Sequence, residues 1–198
     1  DYHPPGQVSA AFARAPHAHA RLGFVDTEAA LDMSGVIAVL TGADYKSDGL
    51  NAMLAQGNPK DAELFNRDSS PIHYPRIEPL VTDKIRRVGE AVAMVIAETP
   101  DQARDAAEEV VTEYDLLPSV VDQGDALREG APRLWEDLPD NLCVDDQKGD
   151  VAKVADVFSK AAHVVRMDLR NNRVSGVPME PRAAVAEYDE QRDTYTLW

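Results

Sequence analysis

Residues 88–102, Val88-Gly89-Glu90-Ala91-Val92-Ala93-Met94-Val95-Ile96-Ala97-Glu98-Thr99-Pro100-Asp101-Gln102, decide the fold. The run Ala91 to Ile96 has no polar alternation, so it reads as a strand buried on both faces, the central strand of a sheet. Thr99 then caps, Pro100 takes the first helical position and Gln102 completes a capping box. Ala103, Ala106, Ala107, Val110 and Val111 recur at spacings of three and four, which predicts a helix with one apolar face. Its other face, Asp101, Arg104, Asp105, Glu108 and Glu109, is a solvated surface and not a catalytic array.

On the N-terminal side, Val8 to Arg14 and Ala18 to Asp26 read as short strands flanking Pro16. Asp26 or Thr27 caps a short helix through Asp32 that stops at Gly35, and Val36 to Leu40 follows as a buried strand. From Thr41 to Pro79 the pattern dissolves into Gly, Asn, Pro, Asp and Ser, which predicts a long excursion with one short helix around Asp61 to Phe65. Order returns at Leu80 to Val88. On the C-terminal side, Tyr114 to Val121 contains Pro118 and is expected at a sheet edge.

Gly124 to Asp150 has a linker's composition, rich in Gly and acidic residues, with Trp135 pinning it to a surface. Asp150 then caps a second helix with Val151, Val154, Ala155, Phe158 and Ala162 on one face. Period-two alternation over 163–170 predicts a half-buried strand. Two more strands, Ala183 to Tyr188 and Thr194 to Trp198, flank a polar turn. The expected division is 1–123, 124–149 and 150–198, with the last part an incomplete domain, because one helix and a three-strand ribbon bury little apolar surface.

The chain has 198 residues, 44% of them hydrophobic and 28% charged, with a mean hydropathy of −0.36. That is the composition of a globular protein with a core of its own. Twenty Lys and Arg against 35 Asp and Glu leave −15, which repels phosphate backbones and anionic headgroups, so no nucleic acid and no membrane are expected as partners. The longest apolar run, Ala91 to Ala97, is far short of the roughly 20 residues that cross a bilayer. No secretory leader is visible, and the single cysteine, Cys143, fits a reducing compartment, so a cytoplasmic location is expected.

The search for chemistry is mostly exclusion. There is no G-x-G-x-x-G, no G-x-x-x-x-G-K-[ST] and no G-x-S-x-G. His17 and His19 would share one face of a strand, but no third ligand is evident, so no metal site is assigned. The acids of 145–150 lack calcium-loop spacing. Glu90 and Glu180 have no visible acid, base or metal partner, so no catalytic residue is assigned. Glu180, held extended between Pro178 and Pro181 near the expected domain junction, and Arg182 beside it are the candidates for touching a cofactor; an ion pair of Glu180 with Arg182 or Arg173 is the structural alternative.

Three blocks then carry a resemblance. Phe12-Ala13-Arg14-Ala15-Pro16-His17-Ala18-His19-Ala20-Arg21 is the first. Val88 to Ala93, the Thr99-Pro100 helix and Glu113-Tyr114-Asp115-Leu116-Leu117-Pro118 form the second. Gly149-Asp150-Val151, Ala162-His163-Val164-Val165, Asn171-Asn172-Arg173 and Pro178-Met179-Glu180-Pro181-Arg182-Ala183 form the third. In this order they resemble the molybdenum-binding large subunit of the xanthine dehydrogenase and aldehyde oxidase family, in its carbon monoxide dehydrogenase-like branch.

The resemblance implies an α+β chain: an α/β hammerhead domain and then the start of a molybdopterin-binding domain. It implies an N-terminal portion of an oxidoreductase, a hydroxylase, that is structural and interface-forming and inactive alone. The intact enzyme would use a molybdenum-pterin cofactor, with iron-sulfur clusters and FAD on partner domains or subunits, and no cofactor on this portion by itself. Expected partners are the remainder of the large subunit and the iron-sulfur and flavin subunits or domains. The alternative is a separate short binding or assembly subunit of a split molybdenum hydroxylase.

Overall fold

The structure, a computed structural model, describes residues 3–54, 64–171, 174, 176–180 and 182–198. The chain divides into a compact unit, Pro5–Gln147, and a second unit that carries Lys148–Trp198. The first has β1 (Ser9–Arg14), β2 (Ala20–Asp26), α1 (Glu28–Leu31), β3 (Val36–Thr41), α2 (Gly42–Ser47), β4 (Met53–Leu54), β5 (Arg76–Ile77), β6 (Lys84–Ile85), β7 (Ala91–Ala97), α3 (Pro100–Glu108) and β8 (Val111–Leu116). The second has α4 (Val151–Lys160), β9 (Ala186–Asp189) and β10 (Thr194–Leu197).

The apolar run at 91–97 is the middle strand of an antiparallel sheet ordered β1-β7-β3. Val92, Ala93, Val95 and Ala97 are buried, as expected of a strand covered on both faces. A second antiparallel sheet is ordered β6-β2-β8. Between the two lies a core of Ala13, Ala15, Ala20, Val81, Ile85, Val92 and Ala93, with Leu22, Val39, Val110 and Tyr114 packed against it. Most of these are alanines, so the layers approach closely and leave little slack for a change of volume.

α3 covers the β1-β7-β3 sheet through Ala103 and Ala106, both fully buried. Its start follows the expectation: Thr99 Oγ1 accepts from Gln102 N at 3.3 Å, with Pro100 inside the first turn. The helix ends earlier than its apolar spacing predicts. Val111 opens β8 and pairs with Asp26 of β2, because two β-branched residues beside Thr112 suit a pleated surface better than a third helical turn. Thr99→Ala is expected to cost about 1 kcal/mol. A urea midpoint unchanged from the parent would show that the cap contributes nothing here.

The excursion from Thr41 to Pro79 opens with α2, which the sequence reading missed. Asp44 accepts from both the N–H and the hydroxyl of Thr41, each at 2.7 Å, and these bonds hold its carboxyl below the usual carboxylate range. Of the helix expected around Asp61 to Phe65, residues 61–63 lie outside the described residues, and Phe65 makes an isolated bridge with Pro71. Residues 80–88 contribute only the two-residue strand β6.

The stretch expected as a linker, 124–149, is folded onto the first unit as far as Gln147. Asn141 knots it internally, accepting from Leu134 N and donating to the carbonyls of Ala126 and Pro132 at 3.0 Å each. Composition marks such a segment as polar and irregular but says nothing of side-chain hydrogen bonds that replace a ladder. Arg67 N donates to Asp145 O, and His73 N to Cys143 O, so the second half of the excursion is bound to the same strap.

In the second unit α4 and the β9-β10 hairpin form as expected, with Asp150 accepting from Lys153 N at the helix start. The strand expected over 163–170 joins no ladder among the described residues. Alternation licenses a pleated face, but a strand exists only where another edge accepts its hydrogen bonds.

Candidate functional site

Glu180 and Arg182 are both exposed, and no ion pair joins them. Arg173, the other partner considered, lies outside the described residues. Among the described residues of 148–198 only Val185 and Asp189 are half-buried, and the others are exposed. A pterin held by hydrogen bonds needs donors fixed in a shielded cleft, and these residues supply none. Among the described residues of 148–198, Glu180 and Arg182 therefore stand in no shielded cleft.

His17 and His19 each make another contact. The His17 ring packs edge-on against Tyr114 at 4.8 Å between centroids. His19 is buried and lies 2.6 Å from the Pro118 carbonyl through Nδ1. A carbonyl only accepts, so Nδ1 carries the proton and the tautomer is set. His19 O in turn accepts from Leu117 N at 3.0 Å, so this residue locks the chain leaving β8 onto the start of β2. Among the described residues no three His, Cys, Asp or Glu side chains gather into a metal-binding group.

The densest charged site lies where β6 meets the strap. A recess of about 180 Å³ is lined by Arg76, Glu78, Asp83, Lys84, Arg86, Glu90 and Trp135, with Val81. Lys84 is only 5% exposed and ion-pairs with Glu136. The Arg86 guanidinium sits 4.3 Å from the centre of the Trp135 ring and donates to Leu134 O and Lys84 O. Glu90 accepts from Arg86 N at 2.6 Å, and Glu78 accepts from the N–H and hydroxyl of Thr82. The Lys84–Glu136 and Arg86–Leu134 bonds and the Arg86–Trp135 contact join the β6 region to the strap, so the cluster is a clasp. Sequence reasoning found only Trp135 as a pin; nothing in the spacing links Lys84 to Glu136, 52 residues away.

The hydrogen bond from Lys84 holds the Glu136 carboxyl below its usual 4.5. A depressed carboxyl contributes stability that is present above 4.5 and lost as pH falls through the lower folded value. Glu136→Gln is expected to cost about 1–2 kcal/mol at pH 7, because it leaves a buried ammonium without its anion while Glu136 itself is mostly exposed. Urea midpoints of parent and variant should converge as pH is lowered from 7 to 3. A gap that persists at pH 3 would refute the pair as its source.

Another groove of the first unit, about 570 Å³, runs along β1, α3 and β8. Phe12, Arg14, Arg104, Glu108 and Tyr114 line it, with Arg14 lying 5.5 Å from the centre of the Phe12 ring. It holds no acid and base in mutual contact.

Comparison with known proteins places these elements. Residues 1–118 match the family profile "Aldehyde oxidase and xanthine dehydrogenase, a/b hammerhead domain", and residues 134–198 match "Molybdopterin cofactor-binding domain". The chain is 34% identical over 98% of its length to the 6-hydroxypseudooxynicotine dehydrogenase complex subunit gamma of Paenarthrobacter nicotinovorans, covering 23% of that protein. It is 30% identical over 98% of its length to the carbon monoxide dehydrogenase large chain of Afipia carboxidovorans, covering 24%. Among solved structures, quinoline 2-oxidoreductase from Pseudomonas putida 86 superposes with a TM-score of 0.81 at 32% identity, over 100% of this chain and 24% of that one. The chain thus spans about a quarter of the length of these relatives.

Proposed function

This chain belongs to the aldehyde oxidase and xanthine dehydrogenase family, an oxidoreductase family, and on that premise we propose that it is the front part of the large subunit of a molybdenum hydroxylase. In that reading 1–123 is the hammerhead domain, 124–149 the connection and 150–198 the beginning of the molybdopterin-binding domain. The observation that carries it is the contrast between the two units. Pro5–Gln147 has a closed core, whereas 148–198 has the helix and hairpin of a domain with no buried side chain among its described residues.

The role of the chain is structural and interface-forming, with catalysis left to the intact enzyme. There a molybdenum-pterin cofactor would carry the hydroxylation, and iron-sulfur clusters and FAD on partner domains or subunits would carry electrons. Glu180 and Arg182 remain the proposed junction residues for that cofactor, in a cytoplasmic enzyme. No helix among the described residues is long and apolar enough to cross a membrane.

The test is metal and pterin content by mass spectrometry, on the 198-residue chain and on the polypeptide encoded up to the natural stop codon. Molybdenum and pterin in the longer protein alone are expected. Their absence from both would overturn the hydroxylase reading. Stoichiometric pterin on the 198-residue chain would overturn the purely structural role.

A further inference from the structure

Around the recess beside β6 the acids are satisfied and the cations are not. Glu78 accepts from the N–H and hydroxyl of Thr82, Glu90 from Arg86 N at 2.6 Å, and Asp83 from the Arg86 guanidinium at 3.4 Å. Arg76, by contrast, is exposed on the wall of the recess and makes no hydrogen bond or ion pair among the described residues. Lys84 carries three N–H donors, and among the described residues its acceptor is Glu136 Oε1. Glu136 is a loosely held partner for so buried a cation. Its side chain is 71% exposed, so it contributes a carboxylate head and little packing, and it gives up rotamer freedom to stay in place. Lys84 also lines the recess of about 180 Å³, with Trp135, the neighbour of Glu136 in sequence, as another wall.

We propose that Lys84 and Arg76 form a binding site for a small free carboxylate, which takes the place of Glu136 on Lys84 and fills the recess against Trp135. Glu136 is then the chain's own stand-in for the ligand. The site lies wholly within Pro5–Gln147 and does not depend on the function proposed above. Charge favours an exchange over an addition. Glu78, Asp83, Glu90 and Glu136 set four negative charges against Arg76, Lys84 and Arg86, in a chain of net −15, so a further anion is repelled unless one carboxylate leaves. Replacing one carboxylate by another leaves the balance unchanged and keeps the buried ammonium paired. The small volume of the recess suits a free molecule and not a segment of chain.

Chemical rescue at pH 7 tests this, with sodium acetate as the probe against sodium chloride at equal ionic strength. Glu136→Ala removes the stand-in and leaves the buried ammonium without its anion. The urea midpoint of this variant should rise with acetate and regain about half its deficit or more by about 0.2 M. The parent should need about tenfold more acetate for the same occupancy, because Glu136 competes for Lys84. Lys84→Met combined with Glu136→Ala should not respond, since Met fills the space without a charge. The Trp135 indole resonance of Glu136→Ala should shift saturably over the same acetate range, which reports on the site even where the double variant does not fold. Equal responses to acetate and chloride overturn the proposal, as does an acetate response retained in the double variant or a Trp135 shift that does not saturate. A parent that responds as strongly as Glu136→Ala also overturns it, because Glu136 would then not occupy the ligand's place.

Discussion

Gly42→Ala is expected to cost the unit Pro5–Gln147 about 3 kcal/mol or more, through one methyl group. Gly42 opens α2 in an ordinary backbone conformation, so the cost is not torsional. A Cβ built there would lie 2.0 Å from Val81 O and 2.7 Å from its carbonyl carbon. Val81 cannot withdraw: it is buried in the core and its N–H donates to Ala91 O at 2.9 Å, tying it to the central strand. Overpacking against fixed backbone costs about 1–3 kcal/mol and occasionally more, and this overlap lies at the severe end. At roughly 3 °C per kcal/mol for a domain of this size, the thermal midpoint should fall by about 10 °C. A loss below about 1 kcal/mol would mean that the α2 turn moves away from β6 freely.

Ile85→Ala should cost about 3–4 kcal/mol, within the usual range of about 2–5 for such truncations. Ile85 is fully buried, and its neighbours include Ala13, Ala15, Ala20 and Ala93, whose side chains have no rotamers with which to fill a void. Its strand is pinned on both sides, Ala20 pairing with Ile85 and Lys84 holding Glu136. The cavity should therefore persist and its full volume should count. Ile85→Val, which removes one methylene, is expected to cost only about 1 kcal/mol. Equal urea midpoints for the two variants would show that the site collapses and that the alanine-rich core is softer than its contacts indicate.

Both predictions fall on residues that the sequence reading passed over. Gly42 stood at the head of an excursion judged irregular, and Ile85 in an ordered but unremarked run. The same reading placed β7 and the start of α3 well, since the unbroken apolar run at 91–96 and the Thr99-Pro100-Gln102 cap are local signals. The opening block was legible in a different way. Ala13, Ala15 and Ala20 are all buried, so the small residues around Pro16 report close packing of two layers, while the two histidines, which invite a metal reading, serve as a ring contact and a backbone tie.

What the sequence determined by itself is the central strand β7, the start of α3, the α4 cap and which faces are apolar, because caps, turn residues and periodicity act within a few residues of one another. It also carried the family blocks in order, and with them the fold. The tertiary structure alone decided the partners. β1 and β2 are consecutive, yet β1 pairs with β7 and β2 with β6 and β8; the acidic stretch after Gly124 became a strap held by Lys84, Arg86 and Arg67; and the alternating segment 163–170 found no ladder among the described residues. Pairing is a long-range choice, made by which edges and charges the collapsed core brings together, and no local pattern encodes it.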